Sequence, residues 1–150
     1  MKNIIIICTG NSCRSQMAHG YFSFFLKNMA TVFSAGIEIH GLNKNAVNSM
    51  QRDGIDISNH TSNKLDEYNG TNFDFIITVC DQANESCPHI ISKNSIRIHK
   101  NFIDPSKIQN SNDMDLDFDN CRDEIKEFAM NFTKKYFISS WLPTLKPHLS

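Results

Sequence analysis

The feature that most constrains the fold is the stretch 4–18, where four isoleucines lead directly into a cysteine, a short polar loop and a helix pattern. An isoleucine run of this kind is typical of a parallel strand covered on both faces. The five residues between Cys8 and Arg14 are small or polar. A loop of this length can curl its backbone N–H groups around a tetrahedral oxyanion, and the first helical turn adds donors and a favourable dipole. The stretch therefore predicts an oxyanion-binding loop.

The two ends of this loop carry the reactive groups. Arg14 can bind two oxyanion oxygens through its planar guanidinium group. The same positive field favours the thiolate of Cys8, which is the nucleophilic form, and Ser15 is placed to donate its hydroxyl to that sulfur. The predicted anion-binding residues are Thr9, Gly10, Asn11, Ser12, Cys13 and Arg14. This pattern indicates covalent chemistry at Cys8 on phosphate or a phosphate mimic.

The rest of the chain alternates strands and helices, which predicts an α/β fold with a four-stranded parallel sheet flanked by helices. We expect strands at 3–8, 31–34, 73–79 and 95–98, and helices at 14–29, 43–52 and 115–136. Asn43 is expected to cap the second of these helices. In the first helix, Met17, Tyr21, Phe24, Phe25 and Leu26 are expected on the buried side. A chain of 150 residues without repeats or a linker predicts one domain over 1–150, with a tail from about 139.

Charge and targeting signals exclude several classes of partner. The formal net charge is -1 and the 15 Lys and Arg residues form no basic block, so we expect no nucleic-acid partner. The apolar run at the N-terminus is too short for a signal peptide or a membrane span, which predicts a cytoplasmic protein without a membrane partner. A monomer is the default expectation. Five cysteines in such a compartment do not predict a structural disulfide framework, and none has zinc spacing.

Two further cysteines suggest redox chemistry. Cys80 follows a second apolar strand, and because sites gather at the carboxyl ends of parallel strands, it can share a crevice with Cys8. The polar segment between Cys80 and Cys87 is expected to be exposed. A helix would separate these two residues by roughly 10.5 Å along its axis, whereas a disulfide needs Cα atoms within about 7 Å. The segment must therefore bend or unwind if they pair, as in a redox switch; the alternative is two incidental thiols.

Other polar groups have simpler interpretations. Asp104, before Pro105, is a turn former by composition, although a general acid would occupy such a loop. Acidic residues fall in a calcium-loop register, but Phe118 stands where that loop needs glycine, so a helix N-terminus is the favoured interpretation. This register comprises Asp113, Asp115, Asp117, Asp119 and Glu124. Cys13 is interpreted as loop wall, Cys121 as a helix-face residue, and His60 and His89 as polar loop residues.

Residues 8–18, Cys-Thr-Gly-Asn-Ser-Cys-Arg-Ser-Gln-Met-Ala, resemble the active-site loop of thioredoxin-coupled arsenate reductases, which share the low-molecular-weight tyrosine phosphatase fold. The similarity continues through 33–38, 56–62, 78–88, 104–105 and 122–125, and covers about residues 3–130. The six-residue gap between Cys80 and Cys87 separates the reductases from the phosphatases. The resemblance implies a three-layer fold and a role in arsenic detoxification.

The resemblance also implies a mechanism that needs no bound cofactor. Cys8 would attack arsenate held by the loop and Arg14, while Asp104 protonates the departing oxygen. Cys80 would then attack Cys8, so that arsenite leaves and a Cys8–Cys80 disulfide forms. Cys87 would attack Cys80, and thioredoxin would reduce the resulting Cys80–Cys87 disulfide, which completes a thiol–disulfide relay. Phosphate or sulfate would act as substrate mimics, and a weak phosphatase side activity is expected.

The sequence departs from the family at a cation site. Some members hold potassium with an Asn, a Ser and two acidic residues; here Asn11 and Ser34 are kept, but His19 and Asn63 replace both acids. The loss of two carboxylates argues against a cation site, and no metal is predicted. We hypothesise that His19 supplies part of the missing positive charge.

Two other functions remain open. A low-molecular-weight protein tyrosine phosphatase would use Cys8, Arg14 and Asp104 equally well, but it would not explain Cys80 and Cys87. Such a phosphatase also carries aromatic residues after Asp-Pro, where this chain has Ser106 and Lys107. The second alternative is a non-enzymatic redox sensor whose cysteines switch a partner interaction.

Overall fold

The computed structural model describes residues 1–86 and 94–138. Its strands are β1 (Lys2–Cys8), β2 (Ala30–Gly36), β3 (Phe75–Thr78) and β4 (Ile96–His99). Its α-helices are α1 (Arg14–Phe25), α2 (Lys44–Arg52), α3 (Asp81–Ser86) and α4 (Met114–Tyr136), with 3₁₀ turns at Leu65–Tyr68 and Pro105–Lys107. The four strands form one sheet in the order β2-β1-β3-β4, and every pairing is parallel. The predicted α/β class with a four-stranded parallel sheet is confirmed.

Strand β1 lies inside the sheet between β2 and β3, and its four isoleucines are completely buried. In the registers of these pairings, Cys8 stands beside Gly36 of β2, and Ile7 stands beside Thr78 of β3. Burial on both faces explains why the isoleucine run does not alternate with polar residues. The ends of β1 and β3 therefore lie at one edge of the sheet.

The hydrophobic core continues from the sheet into helices α1 and α4. Phe22 of α1 contacts the rings of Phe128 and Phe132 in α4, and Phe75 of β3 packs edge-on against Phe132. The expectation for α1 was wrong at one position, since Phe24 is 62% exposed and Phe22 is buried instead. Phe24 lies in the last turn of α1, where its ring packs edge-on against Phe25.

Helix boundaries follow local signals. Helix α1 ends at Phe25 rather than near residue 29, and Asn28 takes a positive φ of 67° that no continuing helix allows. Asn43 caps α2 by accepting hydrogen bonds from the N–H groups of Asn45 and Ala46, as expected. Asp113 caps α4 by accepting from the N–H group of Leu116. The acidic run therefore forms a helix N-terminus, as favoured over a calcium loop.

None of the helices within residues 1–86 and 94–138 combines the length and the apolar character that crossing a bilayer requires.

Candidate active site

The edge of the sheet where β1 and β3 end holds a cavity of about 340 Å³. Cys8 is the last residue of β1, and Cys80 follows β3 by two residues. Because neighbouring parallel strands are about 4.8 Å apart, the two cysteines are brought to the same place, and both line the cavity. The loop residues Thr9, Gly10, Ser12, Cys13 and Arg14 also line it, together with Asp104. Asn11 and Ser15 are completely buried behind it.

The carbonyl groups of the loop point away from the cavity. Each accepts a hydrogen bond from a group outside the loop. Four of the donors are backbone N–H groups, in the pairs Ile37 to Cys8, Glu38 to Thr9, His40 to Gly10 and Asn43 to Ser12. The carbonyl of Asn11 accepts from the side-chain amide of Gln16. In a trans peptide the C=O and the following N–H point in opposite directions. The N–H groups of residues 9–13 therefore turn toward the cavity, which is the arrangement needed to bind an oxyanion.

Gly36 allows the close packing that shapes this loop. A Cβ atom at this position would lie 2.7 Å from the backbone nitrogen of Asn11 and 2.3 Å from the carbonyl oxygen of Glu38. Both neighbours are backbone atoms, so they have little freedom to move aside. A glycine is therefore required where the end of β2 supports the loop.

A chain of hydrogen bonds orients the hydroxyl of Ser15 toward Cys8. The N–H group of Asn63 donates to Oδ1 of Asn11, and Nδ2 of Asn11 donates to Oγ of Ser15, both at 2.8 Å. The Ser15 oxygen lies 3.1 Å from the sulfur of Cys8. Since Ser15 already accepts from Asn11, its own proton is free to be donated to the sulfur. Asn11 adopts a positive φ of 48° to take part in this chain.

Arg14 is fixed on one side and unpaired on the other. Nη1 donates to the carbonyl of Phe102 at 2.9 Å, and Nη2 lies 3.5 Å from a carboxylate oxygen of Asp104. Its Nε is buried and has no hydrogen-bond partner in the part of the chain that the structure describes. Burial lowers the pKa of Arg14, but the negative charges of Cys8 and Asp104 outweigh this and raise the pKa. A bound anion would give the buried N–H group its missing acceptor.

Asp104 lines the cavity beside Cys13 and Arg14, at the start of the second 3₁₀ turn. One carboxylate oxygen accepts hydrogen bonds from the hydroxyl and the N–H group of Ser106, at 2.6 and 2.9 Å. Burial raises the pKa of Asp104, but these two hydrogen bonds and the charge of Arg14 outweigh it and lower the pKa. The side chain is thus positioned at the cavity and not merely a turn former.

The other two described cysteines are held as neutral thiols. Burial, and then the charge of Asp104, raise the pKa of Cys13. Burial also raises the pKa of Cys121, to about 12, and its sulfur donates to the carbonyl of Ile103 at 3.7 Å. Since the thiolate is the nucleophilic form of cysteine, neither residue is a candidate nucleophile. Their placement in the loop wall and on a helix face agrees with the sequence interpretation.

Cys80 lies at the N-terminal end of α3 and faces the loop. Its sulfur is 3.2 Å from the hydroxyl of Thr9 and accepts a hydrogen bond from the N–H group of Ala83 at 3.4 Å. Cys80 itself is 3% exposed because it packs against the loop. The segment after it was expected to be exposed, and within its described part Asp81, Gln82, Asn84 and Glu85 are exposed while Ala83 is buried. Cys87 and His89 lie outside the described residues.

The hypothesis that His19 supplies positive charge was wrong. The His19 ring packs against the His60 ring in a tilted arrangement, with centroids 4.4 Å apart, and lies 2.8 Å from the hydroxyl of Ser34. Burial and the charge of His60 lower the pKa of His19 to about 4, so the ring is neutral near pH 7. His60 contacts Gln16, which in turn supports the loop. Among residues 1–86 and 94–138, no group of three or more His, Cys, Asp or Glu side chains is arranged to hold a metal ion.

Several residues of the cavity were not identified from the sequence. They lie at its mouth, and their side chains are polar or charged: His40, Asn43, Asp81, Gln82, Asn101, Ser106 and Lys107. The sequence marks these residues only by their position after a strand or beside a predicted site residue. Many loop residues outside the cavity share that position, so it does not identify a functional residue. The carbonyl of Phe102, which holds Arg14, carried no signal because any residue could provide it.

The chain is thus an α/β protein in which a cysteine lies at the base of a loop arranged to bind an oxyanion, with an arginine at the end of that loop and an aspartate beside it. The chain belongs to the low molecular weight phosphotyrosine protein phosphatase family, whose family model matches residues 3–137.

Three similar proteins share one name. Arsenate reductase 2 of Staphylococcus haemolyticus is 44% identical over 131 residues, which is 87% of this chain and 95% of that protein. Arsenate reductase of Bacillus subtilis is 45% identical over 133 residues, covering 85% and 95% of the two chains. A solved structure of an arsenate reductase in the phosphate binding state aligns with a TM-score of 0.72 and 29% identity, covering 90% of this chain and 98% of that one.

Proposed function

We propose that this protein is an arsenate reductase that uses Cys8, Cys80 and Cys87 in succession and is regenerated by thioredoxin. The observation that carries the proposal is the position of Cys80, whose sulfur contacts Thr9 of the oxyanion loop in the cavity that Cys8 lines. A hydrolytic phosphatase needs no second thiol at this position. The relatives named arsenate reductase support the same substrate.

In the first step the Cys8 thiolate attacks the arsenic of an arsenate anion. The N–H groups of residues 9–13 bind its oxygens, and the unpaired Nε of Arg14 donates to another. A sulfur–arsenic bond forms, and one oxygen leaves as water after taking a proton from Asp104. Since the pKa of Asp104 is low, that proton must arrive with the substrate, whose negative charge also favours protonation of the carboxylate.

In the second step the Cys80 thiolate attacks the sulfur of Cys8. The electron pair of the sulfur–arsenic bond passes to arsenic, which is reduced from As(V) to As(III) and leaves as arsenite. The two sulfurs are oxidised to a Cys8–Cys80 disulfide, so two electrons are lost and two are gained. Thr9 orients Cys80 for this attack by contacting its sulfur.

In the third step Cys87 attacks Cys80 and releases the Cys8 thiolate. The Cys80–Cys87 disulfide is then reduced by the dithiol of thioredoxin, which becomes oxidised in its place. This proposal places the protein in the cytoplasm, where reduced thioredoxin is found, and treats it as a monomeric single domain.

The polar mouth of the cavity disfavours a tyrosine phosphatase as the main activity. Ser106 and Lys107, which follow Asp104 and Pro105, line this mouth, and neither offers an aromatic face for a tyrosyl ring. A small anion with several oxygens suits these side chains better. A weak phosphatase side activity is still expected, because Cys8, Arg14 and Asp104 serve both reactions.

The test is arsenate-dependent oxidation of NADPH in the presence of thioredoxin and thioredoxin reductase. We expect Cys→Ser changes at positions 8, 80 and 87 each to abolish repeated turnover, while the control Cys121→Ser keeps at least half of it. Hydrolysis of p-nitrophenyl phosphate should require Cys8 but neither Cys80 nor Cys87. Normal reductase turnover without Cys80 or Cys87 would refute the relay. Absence of any arsenate-dependent turnover in the wild type would refute the function.

A further inference from the structure

Helix α3 is tied to the sheet by a small group of polar side chains at the ends of β3 and β4. Nε2 of His99 lies 2.7 Å from Oδ1 of Asp81, the first residue of α3. The backbone N–H group of Asp81 donates to Oδ1 of Asn101 at 3.1 Å. We call His99 and Asn101, which follow one another closely along the chain, the α3 anchor.

The anchor is itself held firmly by the sheet. Nδ1 of His99 lies 2.8 Å from the hydroxyl oxygen of Thr78, a buried residue at the end of β3. The same hydroxyl donates to the side chain of Asn84 in α3 at 3.4 Å. His99 therefore links the first residue of α3 to the neighbouring strand, and its side chain is only 29% exposed.

The position of Cys80 depends on these contacts. Asp81 directly follows Cys80, and the Cys80 sulfur accepts a hydrogen bond from Ala83 inside the first turn of α3. A helix of six residues is too short to be stable without tertiary contacts. The contacts that keep Asp81 in place thus also keep Cys80 beside Thr9.

We propose that His99 and Asn101 are positioning residues for Cys80: they hold its sulfur at the oxyanion loop, and they are released when Cys80 pairs with Cys87. The inference rests on the proposed function. Seven residues of helix span roughly 10.5 Å, whereas a disulfide requires Cα atoms within about 7 Å. The helix Asp81–Ser86 must therefore unwind for the second disulfide to form. Contacts made to helical Asp81 therefore favour the dithiol form.

The experiment measures the oxidation equilibrium of the second disulfide in a Cys8→Ser background. The Cys80 and Cys87 thiols lose two protons and two electrons to oxidised glutathione, which becomes two reduced glutathione molecules. The disulfide is quantified by acid quench, thiol alkylation and peptide mapping across glutathione ratios.

The α3 anchor predicts a specific set of changes. We expect His99→Ala to shift the equilibrium toward the disulfide by about threefold to tenfold, as suits a partly exposed charged hydrogen bond. Asp81→Ala should shift the equilibrium by the same factor. The double variant should shift it little further, because each single change already removes the same hydrogen bond between His99 and Asp81. Asp81 is well exposed, so its variant keeps the core intact if His99→Ala does not fold. Lys126→Ala, which removes a similar ion pair to Asp53 at 2.9 Å, is the matched control and should leave the equilibrium unchanged.

A second readout separates positioning from general destabilisation. With the three reactive cysteines present, His99→Ala should slow formation of the Cys8–Cys80 disulfide after a single addition of arsenate, although it favours the later disulfide. Unchanged equilibria in both His99→Ala and Asp81→Ala, or an equal shift in Lys126→Ala, would overturn the anchor and leave the relay intact. If the Cys8→Ser protein forms no Cys80–Cys87 disulfide under oxidising glutathione, the relay itself fails.

Discussion

Replacing Ser15 with alanine tests how the cavity activates its nucleophile. Ser15 lies 3.1 Å from the sulfur of Cys8, and Asn11 directs the hydroxyl proton toward that sulfur by occupying its oxygen. A buried hydrogen bond to a charged group contributes about 1.5–3 kcal/mol. Each 1.36 kcal/mol corresponds to a factor of ten in rate, so we expect Ser15→Ala to slow the reaction about tenfold to 150-fold.

The suitable assay is the single-turnover rate of arsenite formation by reduced enzyme without thioredoxin, at saturating arsenate, because only the first two steps then contribute. Ser62→Ala is the matched control. It removes a 3.1 Å hydrogen bond to the carbonyl of Gly10 in the same loop but no contact to the sulfur. We expect this control to stay within about threefold of the wild type. A Ser15→Ala rate within twofold of the wild type, or an equal loss in Ser62→Ala, would refute the reasoning.

Three more outcomes follow from the site. Asp104→Asn keeps an acceptor for Ser106 but cannot give up a proton. Arsenate turnover should therefore fall about 10²-fold to 10⁴-fold while phosphate still binds, and turnover within twofold of the wild type would contradict the role of Asp104 as a proton donor. Iodoacetamide at pH 8 should leave Cys13 and Cys121 of the native protein unmodified, because burial raises the pKa of both thiols. Rapid alkylation of either residue would show that its thiol is not held neutral. Since the pKa of His19 falls to about 4 on folding, the unfolded chain binds more protons between roughly pH 6.5 and pH 4. Stability should therefore decline as pH falls through this range, and urea unfolding of His19→Gln should show a smaller decline.

The sequence identified the parts of the site that depend on local pattern. The isoleucine run placed Cys8 at the end of a buried strand, and the apolar residues before Cys80 placed Cys80 just after a second strand. Because parallel neighbours end at the same edge, these two runs were enough to bring both cysteines to one cavity. Asn43 was recognisable as a cap because side-chain capping involves residues only two or three positions apart.

What the sequence missed depends on contacts between distant parts of the chain. The groups that bind the loop carbonyls come from 37–43 and from the side chain of Gln16, and backbone donors leave no residue-specific signal. His19 looked like a source of charge because its residue type allows protonation. Its burial against His60 removes that charge, and burial by a loop more than 40 positions away is not visible in local pattern. The same limitation hid His99, whose partner Asp81 lies 18 positions away.

The central claim is that arsenic is reduced by two sulfurs of this cavity acting in turn, and a Cys87→Ser variant tests it most directly. The reduced variant would be mixed with one equivalent of arsenate, quenched in acid and alkylated at its free thiols. Peptide mapping would then identify its disulfides, and arsenite would be measured in the same sample. The relay predicts one Cys8–Cys80 disulfide for each arsenite released. Arsenite released while Cys8 and Cys80 both remain alkylatable, or Cys8 recovered in a disulfide with Cys13 instead, would contradict it.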